Sequence, residues 1–320
     1  MVDIELIGNK QLCAAASHHF IHLWDFRSSQ NTCELLLSSG VRSNTNFEPY
    51  RSRVSNELPQ NEKAIQKLHC FKDHYLLSAS GNTVNYWDLR NTKFAMGSLM
   101  TQNKEVCSFA SNQKYCFTGD RFHTIKKFEI ADMLSPDRDN PDLHNVNYSH
   151  NFKPPHFDAV TEILVSFAYD STLSSENSDS TMFSSSRDGM IKKWSLDTNS
   201  ESTKKYNAHN KLWITDMCWV HSSRNSLRKK YHPSKNTSNL LKAATANSGN
   251  HTNSSKSNSE FIASVGRDRS LKIWSVEDLD IICEVNDAHS KYINCVSSYD
   301  DLIFTGSDDF GINVYQLAFE

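Results

Sequence analysis

Ser186-Arg-Asp188-Gly-Met-Ile-Lys-Lys-Trp194 and Gly266-Arg-Asp268-Arg-Ser-Leu-Lys-Ile-Trp274 share one plan: a tight polar turn, a run alternating apolar and charged residues, and a terminal aromatic. The same plan is found at Ser17-His-His-Phe-Ile-His-Leu-Trp24, Ser80-Gly-Asn-Thr-Val-Asn-Tyr-Trp87, Gly119-Asp-Arg-Phe-His-Thr-Ile-Lys-Lys-Phe128 and Ser307-Asp-Asp309-Phe-Gly-Ile-Asn-Val-Tyr315. Period-two alternation is the signature of a half-buried strand, and the polar cluster ahead of it marks a hairpin turn. A lone unit of this size cannot bury its apolar face. Repetition along the chain therefore implies units stacked on one another.

Other short strands surround each copy. In the last unit Tyr292-Ile-Asn-Cys-Val-Ser opens an inner strand, Leu302-Ile-Phe-Thr reads as a second and Gly311-Ile-Asn-Val-Tyr315 as a third. The stretch after an aromatic, such as Ile281-Ile-Cys-Glu-Val285, supplies an outer fourth strand. The terminal aromatics are separated by 63, 41, 66, 80 and 41 residues, and the value 41 falls in the range of roughly 40–45 residues of a WD-type blade. The expected fold is all-β: a WD40 β-propeller with six recognisable four-stranded antiparallel blades, in a single domain over 1–320. No amphipathic helix of useful length is expected. The longer separations hold polar insertions at 39–61, 133–155, 171–180 and 222–259. Too few large apolar side chains lie in them to offset the entropy of ordering, so loops or local disorder are expected there.

Composition narrows the function. Of 320 residues 38% are hydrophobic and the net charge is −3, which provides no long-range pull towards nucleic acid or anionic lipid. No apolar run approaches the roughly 18 residues that span a bilayer, and Met1-Val-Asp-Ile-Glu lacks the basic start and apolar core of a signal peptide. The eight cysteines stand singly, without a C-x-x-C pair, and read as reduced buried thiols rather than zinc ligands or disulfides. A cytoplasmic protein without membrane insertion is expected.

In a WD blade the turn before the third strand carries an Asp, that strand carries a Trp, and a His lies in the loop entering the inner strand. Three repeats supply the set: His156, Asp188 and Trp194; His209, Asp268 and Trp274; His289 and Asp309, with Tyr315 replacing Trp. Repeat 1 keeps Trp24 but has His19 where the Asp belongs, repeat 2 keeps Trp87 after a shortened turn, and repeat 3 ends in Phe128. These His and Asp residues recur one per unit, so they read as structural hydrogen-bonding groups and not as metal ligands or an acid/base dyad. No catalytic residue, cofactor or metal is expected.

Several stretches go beyond the general repeat. Ser149-His-Asn-Phe-Lys-Pro-Pro-His-Phe-Asp158, Asn207-Ala-His-Asn-Lys-Leu-Trp213, His22-Leu-Trp24-Asp-Phe-Arg27 and Trp87-Asp-Leu-Arg90 resemble the C-terminal WD propeller of one branch of the kinesin-4 family of microtubule motors. The resemblance implies seven blades where six are recognisable, so an incomplete ring is expected, open at its edges and prone to association. It also implies a motor ATPase and a dimerising stalk in the whole family protein. Neither a G-x-x-x-x-G-K-[ST] loop nor a heptad stretch occurs in these residues.

The resemblance further implies a non-catalytic interaction module associated with the cytoskeleton, binding microtubules (tubulin), regulators or cargo. The alternative is a generic WD40 scaffold of a ubiquitin-ligase or signalling complex. One propeller face would collect Phe157, Trp213 and Tyr292 from the loops entering inner strands, with Arg187 and Arg267 from the turns. Aromatics mixed with Arg make a protein-binding rim, although the same aromatics could simply shield the blade ends. The tract 222–259 holds Arg224, Arg228, Lys229, Lys230, Lys235, Lys242 and Lys256, a basic stretch able to touch an acidic surface. Its single aromatic, Tyr231, argues against specific nucleic-acid binding.

Overall fold

The computed structural model describes residues 3–7, 12–17, 20–25, 32–36, 64–90, 95–101, 104–135, 144–166, 181–205, 207–222, 239–243, 259–299 and 301–319. Insertions 39–61 and 171–180 lie outside these residues, as do Arg224, Arg228, Lys229, Lys230, Tyr231, Lys235 and Lys256. The chain is all-β, with the six-bladed arrangement of a propeller, and divides into two compact units, Met1–Phe152 and Lys153–Glu320. Among the described residues no helix is long and apolar enough to cross a membrane.

The first unit holds three sheets. Blade one is β1 (Asp3–Ile7), β2 (Leu12–Ser17), β3 (Phe20–Asp25) and β4 (Thr32–Leu36). Blade two is β5 (Ile65–Phe71), β6 (Tyr75–Ser80), β7 (Thr83–Asp88) and β8 (Gly97–Leu99). Blade three is β9 (Val106–Ser111), β10 (Tyr115–Asp120), β11 (Ile125–Glu129) and, after a short helix α1 (Ile130–Leu134) and β12 (His144–Val146), the outer strand β13 (His150–Asn151). The second unit repeats the plan: β14 (Val160–Val165), β15 (Thr181–Ser186), β16 (Ile191–Ser195) and β17 (Ser200–Lys205) form blade four. Blade five combines β18 (Ile214–Ser222) with β20 (Ser259–Gly266), β21 (Leu271–Ser275) and β22 (Ile281–Val285). Between β18 and β20 the chain forms β19 (Asn239–Ala243), and blade six follows as β23 (Ile293–Tyr299), β24 (Leu302–Ser307) and β25 (Ile312–Phe319).

Two insertions depart from the expected loops. From 133–155 comes β12, which adds a fifth strand to blade two, parallel to β8. From 222–259 comes β19, which pairs in parallel with β25 and becomes the outer strand of blade six. Asn239-Leu-Leu-Lys-Ala243 is an apolar island in a polar tract, and the outer edge of β25 offers it a row of unpaired N–H and C=O groups. The blades are thus mostly, and not wholly, antiparallel.

Inner strands are tied to their neighbours within a unit by carboxylates. Asp3 Oδ2 accepts the Leu68 N–H at 2.7 Å in the first unit, and Asp216 Oδ2 accepts the Val296 N–H at 2.9 Å in the second. Each satisfies an edge N–H that would otherwise face a neighbour unpaired. Between blades the space is filled by apolar side chains: Phe183, Ile191, Ile214, Met217, Ile262 and Trp274 form one such cluster. Cys13, Cys70, Cys107, Cys116, Cys218, Cys283 and Cys295 are free thiols. Cys13 and Cys116 are buried as expected, Cys70, Cys107, Cys218 and Cys283 are half-buried, and Cys295 is exposed.

A candidate protein-docking rim

The rim rests on a circuit repeated in three successive blades. In blade four His156 is buried; its Nδ1 lies 3.0 Å from Asp188 Oδ2 and its Nε2 lies 2.8 Å from Ser184 Oγ. Trp194 Nε1 donates to the same Ser184 oxygen at 2.8 Å. Having accepted the indole proton, the serine hydroxyl has its own proton left for His156 Nε2, so the imidazole gives its Nδ1–H to the carboxylate. Blade five repeats this with His209 Nδ1 to Asp268 Oδ1 at 2.8 Å, His209 Nε2 to Ser264 Oγ at 2.7 Å and Trp274 Nε1 to Ser264 Oγ at 2.7 Å. In blade six His289 contacts Asp309 Oδ2 at 3.0 Å and Thr305 Oγ1 at 2.8 Å, while the Tyr315 hydroxyl donates instead to the Ala288 carbonyl.

Burial holds the His156 imidazole below its usual range, against the pull of Asp188. For Asp188 burial is the largest influence and pushes upward, yet the hydrogen bond and charge of His156, with the Phe157 and Met190 N–H groups, leave it below the usual carboxylate range. Burial also pushes Asp268 and Asp309 upward; Asp268 is nonetheless lowered by His209 and Ser270, and Asp309 by the Gly311 and Ser290 N–H groups and His289. An Asp–His–Ser order invites comparison with a hydrolase triad. Here the Ser184 and Ser264 side chains are fully buried and already accept an indole N–H, so neither can reach a substrate. Among the described residues no group of His, Cys, Asp and Glu could hold a metal ion.

The serines and threonine of the circuit are absent from the sequence-based expectation, though each stands four residues before its Asp: Ser184 before Asp188, Ser264 before Asp268, Thr305 before Asp309. Among the described residues the first unit shows only parts of the circuit. Trp87 Nε1 donates to Ser78 Oγ at 2.9 Å, Trp24 is half-buried, and Asp120 is capped locally by the N–H groups of Phe122 and Thr124 and by the Thr124 hydroxyl.

The circuit ties the loops to the turns, and on them stands a ladder of side chains. The turn N–H groups of Arg187 and Arg267 donate to the Ala159 and Trp213 carbonyls at 3.0 and 2.9 Å, and Asp308 N–H donates to Tyr292 O at 3.0 Å. Each turn arginine reaches the aromatic of the next blade. The Arg187 Cζ lies 4.5 Å from the Trp213 ring centroid, Arg267 Cζ lies 3.5 Å from the same ring, and Arg267 lies 5.3 Å from Tyr292. Four of the five expected rim residues are therefore brought together. Phe157 is not: its N–H is bound to Asp188, but its ring is 81% exposed and makes no cation–π contact with them among the described residues. The Trp213 loop is shaped by Asn210 and Lys211, both left-handed at φ 52° and 62°, closing a turn in which Leu212 N–H donates to His209 O.

Gly266 joins circuit and ladder. A Cβ there would lie 2.7 Å from the Trp213 carbonyl oxygen and 3.0 Å from His209 Nδ1. Gly266→Ala is expected to destabilise the second unit by about 1–3 kcal/mol, because the clash is with backbone. Urea denaturation checks this, and an unchanged midpoint would show that the loop yields freely.

A family model described as "WD domain, G-beta repeat" matches residues 282–316. Human kinesin-like protein KIF21A is 24% identical over 323 residues, covering 99% of this chain and 16% of that protein. Human kinesin-like protein KIF21B is 23% identical over 322 residues, covering 98% and 16%. The chain thus spans 16% of the length of these relatives. Among solved structures, a chain of the mitotic checkpoint complex gives a TM-score of 0.63 at 13% identity, covering 99% of this chain and 74% of that one. A computationally designed protein, Ika8, gives 0.58 at 15% identity, covering 98% and 73%. Blades, circuit and repeat match together define a WD40 β-propeller, an architecture for protein interaction. Within that class the sequence likeness is specific: over nearly its whole length the chain is similar to the kinesin-like proteins.

Proposed function

We propose that the chain is a non-catalytic docking module of a kinesin-like protein, holding microtubules, regulators or cargo against the rim of its second unit. The observation that supports this reading most is the ladder Arg187–Trp213–Arg267–Tyr292, large planar side chains held on a rigid base and facing solvent, as binding hot spots are. The likeness to kinesin-like proteins supports a cytoskeletal, cytoplasmic setting and a whole protein that dimerises through a stalk. Removing the Trp213 ring should weaken microtubule co-sedimentation by about tenfold or more while Tm falls by only a few degrees, since Trp213 is half-buried and outside the fully buried set. Equal loss of folding and binding in Trp213→Ala would make the ring a core residue. No sedimentation by the folded wild-type chain would favour the generic scaffold reading instead.

A further inference from the structure

The chemistry of the rim says what kind of partner it suits. Arg121 occupies in blade three the turn position of Arg187 and Arg267, and there the guanidinium is paired: its Nη1 lies 3.2 Å from Glu105 Oε2. Arg187 and Arg267 have no carboxylate within 4 Å among the described residues, and neither have Lys211 and Lys291 in the adjoining loops. Of the exposed acids of the same rim, Asp287 pairs with Arg269 at 2.7 Å, whereas Asp158 and Asp308 meet neutral donors, the Ala159 N–H and the Asn294 amide. A guanidinium stacked on an aromatic ring keeps its in-plane N–H donors pointing outward, which is the geometry that receives a carboxylate in two parallel hydrogen bonds.

A second observation is independent of charge. Phe310 is 98% exposed and holds a left-handed φ of 65°. It stands where blade four has Gly189 (φ 76°) and blade five has Arg269 (φ 65°). The turn asks for glycine at this position, and a bulky aromatic is a costly choice for the fold. Lys291 Nζ lies 5.7 Å from its ring, and Lys291 adjoins Tyr292, so an apolar anchor ends the row of cations.

We infer that the ladder from Arg187 to Phe310 recognises an extended acidic peptide segment of a partner protein, its carboxylates on Arg187 and Arg267 and an apolar side chain on Phe310. This rests on the docking reading above and names the partner's chemistry. Nucleic acid fits less well, because Arg267 at 3.5 Å already covers a face of Trp213 that a base would need.

Fluorescence anisotropy of the full chain with a labelled Glu-rich peptide carrying one Phe tests it. The peptide is expected to bind, its Gln isostere to bind at least about tenfold more weakly, and oligo-dT not to compete. Arg187→Gln and Arg267→Gln should each weaken binding by about tenfold, Arg267→Lys by less, since charge survives without the planar fork. Phe310→Gly should keep Tm or raise it while weakening only the Phe-bearing peptide. Equal binding of the Gln isostere, indifference to both Arg→Gln variants at unchanged Tm, or competition by oligo-dT would overturn the inference. Microtubule sedimentation that persists in the Arg→Gln variants but is lost in Trp213→Ala overturns it while leaving the docking reading intact. Peptide binding without sedimentation upholds the acidic preference and removes microtubules as the partner.

Discussion

Trp274→Ala is expected to cost about 3–5 kcal/mol, more than any other substitution named above. The ring is fully buried against Phe183, Ile191, Ile214, Met217, Ile262 and Leu279, so truncation leaves a cavity that strands on two blades cannot easily collapse. Its Nε1 also supplies the proton that lets Ser264 turn its own hydroxyl to His209. A domain of this size is stable by only about 5–15 kcal/mol, so a substantial share of that margin would be removed. Trp274→Phe separates the two causes. It restores most of the volume but leaves the Ser264 oxygen without its donor, for an expected loss of about 1–3 kcal/mol. Trp24→Ala in blade one is the control, because that ring is half-buried and makes a ring contact with His22 at 5.8 Å rather than a buried circuit. Urea denaturation of the three variants checks the order Trp274→Ala, Trp274→Phe, Trp24→Ala. Equal losses at Trp24 and Trp274 would mean that the circuit adds nothing beyond an aromatic ring.

The blades were legible because each carries a large aromatic at one position, buried in blades two to six and half-buried in blade one; a Trp at 194 and 274 or a Tyr at 315 announces itself against Ser/Lys-rich surroundings. The ladder was partly legible for the same reason, since Arg187, Arg267, Trp213 and Tyr292 occupy fixed offsets from the turns. What remained hidden has small or generic chemistry. Ser184, Ser264 and Thr305 are indistinguishable by type from the many serines and threonines of the loops, and only their constant spacing to Asp betrays them. Phe310 hid inside a turn where its side chain has no structural task. The strands β12 and β19 carry little propensity of their own; they form because a neighbouring edge supplies the hydrogen bonds, a tertiary cause that local pattern does not contain. Helix α1 is a single turn with Ile130 and Met133 buried on one side, too short for periodicity to reveal.

Acid should weaken the first unit between about pH 6.5 and pH 4, and His69 is the reason. Its Nε2 lies 2.8 Å from Ser111 Oγ, and burial, helped by the nearby charge of Lys67, holds the imidazole down to about 4. Glu5, with a carboxylate oxygen 3.7 Å from Nδ1, does not reverse this. In the unfolded chain a histidine takes up its proton near pH 6.5, whereas the folded unit refuses it until about pH 4. Between those values the unfolded state binds more protons, so stability falls as pH falls; integrated over the window the loss is about 3 kcal/mol. His156 in the second unit is lowered by burial too, and its contribution has the same sign, beginning below the same unfolded value. The depressed carboxylates Asp188, Asp268 and Asp309 act later: their stabilisation is whole above about pH 4 and is lost only below it. Urea midpoints measured from pH 7 to pH 4.5 should therefore decline for the wild type. In His69→Gln, which keeps a polar group beside Ser111 but cannot titrate, the decline should be much shallower. A wild-type slope in that variant would assign the acid sensitivity elsewhere, and a midpoint that rises on acidification would mean that His69 is charged in the native fold.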